Sequence, residues 1–284
     1  MKKFAIIADT GCDIPEDDCC RLGISTLPLW IHFSDGSYRD LVDMKKEEFY
    51  NLLDKEIPKT STPSPQEVDD AIKRALGNGY ESVLIITISS KLSGFNNLCN
   101  LMAGEYSGKV KVFDTKSIAM GAGFYAYRAV ELRNDGATID EVYDTLAEER
   151  DNMSSRTYFA IPDLSNLISG GRIGKVKGTI GQLLSIKPII SCDTEGYYYT
   201  VEKARGFVQA QKKMVNRVRK ELSEASEYYL GVFHGDNKEA FAETKKALTD
   251  EISRAKTYIE GQISPSLAVH TGRGLVGIIY YKIN

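Results

Sequence analysis

Residues 82–88, Ser82-Val83-Leu84-Ile85-Ile86-Thr87-Ile88, form a nearly unbroken apolar run. It is far too short to cross a bilayer and too uniformly apolar for a strand with one wet face. A run of this kind is satisfied in the middle of a parallel sheet that helices cover on both sides. Residues 4–8 and 110–114 read as further buried strands, and segments with helical periodicity at 66–76, 95–105, 117–133 and 139–153 lie between and after them. Strands and helices alternating at this spacing build a three-layer α/β/α unit.

The shorter segments complete that unit. Residues 15–22 and 45–54 are expected as helices, and 27–33 as a second strand closed by the turn Ser34-Asp35-Gly36. The proline-rich stretch 58–65 is expected as a rigid loop whose end caps the helix at 66–76. Beyond residue 154 the pattern changes. A strand at 157–161, a short helix near 164–168 and the glycine turn Ser169-Gly170-Gly171-Arg172-Ile173-Gly174 lead to segments 188–192 and 197–201, which flank Asp193-Thr194-Glu195-Gly196 as a hairpin. Antiparallel pairing therefore enters. Helices at 206–222 and 238–248 and strands at 228–234, 256–260 and 275–283 finish the chain. The α/β reading is thus of two domains, a parallel three-layer α/β/α domain at 1–154 and a mixed-sheet two-layer α/β domain at 155–284, a division that suits 284 residues.

Composition narrows the function. Hydrophobic residues at 42% and charged residues at 26% describe a folded chain, not a disordered one. A net charge of -3 with dispersed basic residues leaves no electrostatic footprint for nucleic acid and no polybasic patch for anionic lipid. The apolar stretch after Met1-Lys2-Lys3 is too short for a signal peptide and no later run spans a bilayer, so a cytoplasmic protein without an integral membrane segment is expected. The five cysteines, Cys12, Cys19, Cys20, Cys99 and Cys192, have neither disulfide-framework nor zinc-knuckle spacing and are expected as reduced thiols. The three histidines, His32, His234 and His270, fall in no metal-binding or triad motif, and no metal site is expected.

Chemistry concentrates in three segments read as lying where strands end, the place at which open α/β sheets bind ligands. They are Thr60-Ser61-Thr62-Pro63-Ser64, Ser89-Ser90-Lys91-Leu92-Ser93-Gly94 and His270-Thr271-Gly272-Arg273-Gly274. Hydroxyls and backbone N–H groups at a helix start can satisfy a carboxylate or phosphate, and Ser93 and Gly94 suit that task. The plainer alternative is that Ser93 caps its helix and Thr60 stabilises a turn. Asp9-Thr10-Gly11-Cys12-Asp13 could serve as a nucleophilic loop for phosphoryl transfer. Its spacing favours a structural pair, with Asp9 bonding loop amides and Asp13 capping the next helix. Gly170-Gly171-Arg172-Ile173-Gly174 lacks the glycine spacing of a dinucleotide loop; Arg172 there could pair an anion or a partner protein, the plainer alternative being a solvated surface arginine.

Taken in order, Asp9-Thr10 with Asp13, Thr60-Ser61-Thr62-Pro63-Ser64, Ser89-Ser90 with Leu92-Ser93-Gly94, Asp114-Thr115, Ser169-Gly170-Gly171-Arg172-Ile173, Lys187-Pro188 and His270-Thr271-Gly272 resemble the DegV family of fatty-acid-binding proteins. The resemblance implies a DegV-like two-domain fold with one long-chain fatty acid in a tunnel between the domains. It implies no cofactor and no catalytic residue. The acid would be handed to a partner fatty acid kinase related to dihydroxyacetone kinases, for phospholipid synthesis. Thr60 and Ser93 would hydrogen-bond the carboxylate, Ser61 and Gly94 would shape the same pocket, His270 would stand nearby, and Arg172 would serve kinase docking. The sequence departs from the family pattern at Thr62, at Phe95-Asn96-Asn97 and at Arg273, which bears on acyl-chain preference and loop geometry. The competing readings are an enzyme of phosphoryl or acyl transfer using Asp9 or His270, and a module that senses a small anionic metabolite.

Overall fold

The computed structural model describes residues 2–179 and 185–283. In chain order the first half runs β1 (Lys2–Asp9), a single 3-10 turn (Thr10–Cys12), α1 (Glu16–Leu22), β2 (Ile24–Leu27), β3 (Trp30–Phe33), β4 (Gly36–Arg39), α2 (Lys46–Leu53), β5 (Lys59–Ser61), α3 (Pro65–Gly77), β6 (Tyr80–Thr87), α4 (Phe95–Ala103), β7 (Val110–Asp114), α5 (Met120–Asn134) and α6 (Ile139–Asp151). The second half runs β8 (Ser155–Ala160), α7 (Ser165–Ser169), β9 (Ile186–Cys192), β10 (Tyr198–Arg205), α8 (Phe207–Leu222), β11 (Glu227–His234), α9 (Lys238–Ala247), α10 (Thr249–Arg254), β12 (Thr257–Gln262), α11 (Pro265–Thr271) and β13 (Val276–Ile283).

The apolar run at 82–88 is β6, second from the edge of a parallel sheet ordered β2-β1-β6-β7. Val83, Leu84, Ile85 and Ile86 are all fully buried because helices cover both faces. On one side α3 and α4 bring Val68, Ile72, Phe95 and Cys99 onto Val83 and Ile85. On the other, α5 and α6 pack over Ile6, Leu84 and Ile86. Helix α3 begins as its sequence directs: the Ser64 hydroxyl oxygen accepts from Glu67 N–H while the Glu67 carboxylate accepts from Ser64 N–H, a capping box with Pro65 just inside.

The second sheet is mixed, ordered β10-β9-β8-β13-β11-β12, antiparallel throughout except for β11 beside β12. Helices α8 and α9 cover one face, and α5 covers the other. Helix α5 is buried without interruption from Met120 to Tyr127 because a sheet presses on each side of it. Gly121 permits this approach, since a Cβ there would lie 2.0 Å from Thr157 Oγ1. Among the described residues no helix is long and apolar enough to cross a membrane.

Several expectations need correction. The strand read at 27–33 is two strands in different sheets. Pro28 has no N–H to continue the ladder, so β2 stops at Leu27, and β3 pairs instead with β4 and β5 in a small antiparallel sheet. The loop read at 58–65 contains β5, whose Thr60 opposes Ile31. The helix expected from 117 begins at Met120, helix α10 has no counterpart in the sequence reading, and the segment around His270 lies at the end of helix α11, not of a strand. Asp13 caps nothing in α1, whose N-cap is Pro15; it reaches instead across the molecule to Ser264 N–H at 2.8 Å.

Candidate functional site

A cavity of about 180 Å³ lies between the small antiparallel sheet, the 89–94 loop, the glycine turn after α7 and helix α11. It gathers residues from every segment that the sequence singled out for binding: Thr60, Ser61, Ser93, Gly94, Arg172 and His270 all line it. The remaining wall is mostly apolar, formed by Leu29, Ile88, Leu92, Ile118, Tyr198 and Leu267.

Thr60 sits in the middle of β5, where strand alternation turns it inward between exposed Lys59 and Ser61. Its hydroxyl lies 2.9 Å from His270 Nε2. Burial, with Arg172 adding repulsion, holds the imidazole pKa down at about 4, so His270 is neutral. A neutral imidazole carries one proton. With that proton on Nε2, His270 donates to the Thr60 oxygen and leaves the Thr60 hydrogen free for a ligand; with the proton on Nδ1, the Thr60 hydrogen is spent on the ring.

Ser93 does not cap its helix, since the N-cap of α4 is Gly94 and no side chain caps it. The Ser93 hydroxyl oxygen accepts from Phe95 N–H at 3.2 Å, stabilising the start of α4, and that leaves the hydroxyl hydrogen available to donate. Ser61 lines the cavity, but its hydroxyl is engaged by His32 Nε2 at 2.8 Å. Gly94 is uncrowded: a Cβ added there would have Thr62 Cγ2, 4.0 Å away, as its nearest neighbour. Arg172 is half-buried in the wall, its Nε donating to Leu92 O at 3.2 Å and its Nη1 to Gly170 O at 2.6 Å. It is more deeply engaged than a solvated surface arginine.

Two aspartates staple the loops that carry these groups. Asp9 accepts from Ile88 N–H at 3.0 Å, and Asp114 accepts from Ser90 N–H at 3.2 Å and Lys116 N–H at 2.9 Å. Asp9 is only 1% exposed, and burial raises its pKa to about 7. A nucleophile has to reach its substrate, and this carboxyl group is sealed away from the cavity, against the phosphoryl-transfer reading. Among the described residues no group of three or more His, Cys, Asp or Glu side chains is arranged to hold a metal ion.

Sequence reasoning missed Tyr198, Leu29 and Ser266. Tyr198 lies just past the tip of the β9–β10 hairpin, which is drawn to the site because Ser89 Oγ donates to Gly196 O at 2.8 Å. Gly170, read from the sequence only as part of a turn, stands against the imidazole. A Cβ there would lie 2.4 Å from His270 Nδ1, although its backbone, φ -74°, would accept alanine. Gly170→Ala is therefore expected to push the imidazole off Thr60 and cost about 1–3 kcal/mol of stability. Thermal melts together with imidazole nitrogen chemical shifts check this; unchanged shifts would contradict it.

Residues 3–282 match the family model for uncharacterised proteins of the DegV family. A DegV domain-containing protein of Clostridium acetobutylicum is 38% identical over 283 residues, a match covering 99% of this chain and 100% of that one. Another, from Clostridium perfringens, is 33% identical over 283 residues, covering 99% of each. Among solved structures, a fatty-acid-binding DegV family protein of Thermus thermophilus superposes with a TM-score of 0.92 at 27% identity, covering 99% of this chain and 100% of that one. DegV, a fatty acid binding protein of Bacillus subtilis, gives 0.90 at 25% identity over 100% of both chains.

Proposed function

The chain belongs to the DegV family, and on that premise we propose that it is a carrier that binds a long-chain fatty acid and performs no chemistry of its own. The observation that carries the reading is the convergence of neutral proton donors on one cavity whose remaining wall is mostly apolar: Thr60, paired with His270, and Ser93. The acid's head would lie on these hydroxyls and its tail between domains at 1–154 and 155–284. Each buried methylene contributes about 0.8 kcal/mol, so the tail dominates affinity. The hydroxyls offset the several kcal/mol that an unpartnered carboxylate would cost on leaving water, and they fix its direction. At about 180 Å³ the cavity is smaller than the ~300–1,000 Å³ usual for ligand sites, so the apolar walls must part to admit a full tail.

We propose further that the carboxylate of the bound acid is presented to a partner. In this reading the partner is a dihydroxyacetone-kinase-like acyl kinase that phosphorylates the carboxylate for phospholipid synthesis, with Arg172 in the cavity wall as a docking point for that kinase. Structures of relatives that bind fatty acid support the first half of the proposal. Denaturing the purified protein and extracting it into organic solvent is expected to release a long-chain acid detectable by mass spectrometry. Release of a small polar anion and no lipid would instead favour a metabolite sensor, and magnesium-dependent turnover abolished by Asp9→Asn would favour an enzyme.

A further inference from the structure

Helix α11 has only the residues Pro265–Thr271, too few to hold its place without outside contacts. Its N-cap residue Ser264 supplies no side-chain cap. The free N–H groups there are met by carboxylates from the far end of the chain. Asp13 Oδ1 accepts from Ser264 N–H at 2.8 Å, Asp40 Oδ1 from Ser266 N–H at 3.2 Å, and Asp40 Oδ2 from the Ser266 hydroxyl at 2.5 Å. Asp40 is fully buried, so these bonds form away from competing water.

Ser266 and His270 are four residues apart, one turn, and so lie on the same face of α11, about 6 Å apart along its axis. Both meet the same small sheet. Asp40 directly follows β4, and Thr60 lies on β5, with β3 between the two strands. The helix is thus clamped to one sheet at two points, Ser266 on Asp40 and His270 on Thr60. A rotation or tilt that loosens the first clamp re-aims the second. We infer that Asp40 is a positioning residue for the acid site: its two-oxygen grip on Ser266 sets the rotation of α11 and so the angle at which His270 meets Thr60. This rests on the fatty-acid reading of the cavity.

The test compares the affinities of hexadecanoic acid and hexadecan-1-ol, whose ratio reports recognition of the head group while the tail cancels. His270→Ala is the reference for losing the imidazole. Asp40→Ala is expected to lower the acid-to-alcohol ratio about tenfold. Asp40→Asn, which keeps an oxygen for Ser266 N–H, should restore the ratio to within about threefold. In the His270→Ala background Asp40→Ala should change the ratio no further, because the two act through one group. If Asp40→Ala does not fold, Asp40→Glu takes its place: one added methylene shifts α11 and gives the same tenfold loss. A ratio that stays at the parent value in these variants while His270→Ala lowers it, or losses at the two positions that simply multiply, overturns the positioning role and leaves the fatty-acid reading standing. A parent protein that shows no preference for the acid sinks that reading, and this inference with it.

Discussion

A Thr60→Ala, Ser93→Ala double variant is expected to keep its fold and to bind hexadecanoic acid about 100-fold more weakly than the parent. Each substitution removes a donor aimed into the cavity, and hydrogen bonds to a charged group are worth roughly 1.5–3 kcal/mol apiece, so the low end of two such losses, about 3 kcal/mol, corresponds to that factor. The fold should survive for different reasons at the two sites. Thr60 keeps its ladder pairing opposite Ile31 through backbone groups alone. Ser93 loses its bond to Phe95 N–H, at a cost near 1 kcal/mol for one hydrogen bond. The corresponding alcohol, with no charge to satisfy, should lose far less affinity. Equal retention of acid and alcohol by the double variant and the parent would show that the two hydroxyls take no part in recognition. Single variants should not divide the effect evenly, because removing Thr60 also leaves His270 Nε2 without its partner.

Parts of this arrangement are written plainly in the chain. The run at 82–88 can only be a strand buried on both faces, and the Ser64-Pro65-Gln66-Glu67 sequence spells a capping box that the structure contains. Those signals are local, and local energetics decide them. The strand break at Pro28 is equally local and is legible in the missing N–H. Helix α11 is harder. Ser264 and Pro265 are start signals, but the helix is short, its segment is buried nearly throughout, and its amphipathic pattern is correspondingly absent. The gathering of Thr60, Ser93, Arg172 and His270 around one cavity follows from the order of the motifs, while the Thr60–His270 bond, spanning 210 positions, does not. Asp40 has no local mark at all. Its partner Ser266 is 226 positions away, and only the folded topology brings them together.

The pH dependence of stability tests the other consequence of burying acids at this junction. Burial raises the Asp13 pKa from its ordinary 3.8 to about 7, with Lys46 and the Ser264 amide drawing it back only in part. Asp9 and Asp40 are raised as well, burial being the largest cause for each, and the nearby carboxyl groups repel one another once ionised. Between pH 4 and 7 the folded protein therefore holds a proton that the unfolded chain has released. Raising the pH through that window favours unfolding; the penalty is absent below about 4 and complete above about 7. Asp13→Asn removes the ionisation yet keeps an oxygen for Ser264 N–H, and asparagine accepts the left-handed backbone at this position, φ +53°. The Asp13 Oδ2 position, which has no hydrogen-bond partner among the described residues, receives the amide nitrogen. The variant is expected to match the parent near pH 4 and to melt on the order of 10 °C higher at pH 8, as about 4 kcal/mol of ionisation penalty disappears. Asp13→Ala, which loses the acceptor and strains the backbone, should melt below Asp13→Asn at both pH values. Parallel pH profiles for the parent and Asp13→Asn would mean that Asp13 is already ionised across this range and held so by Lys46.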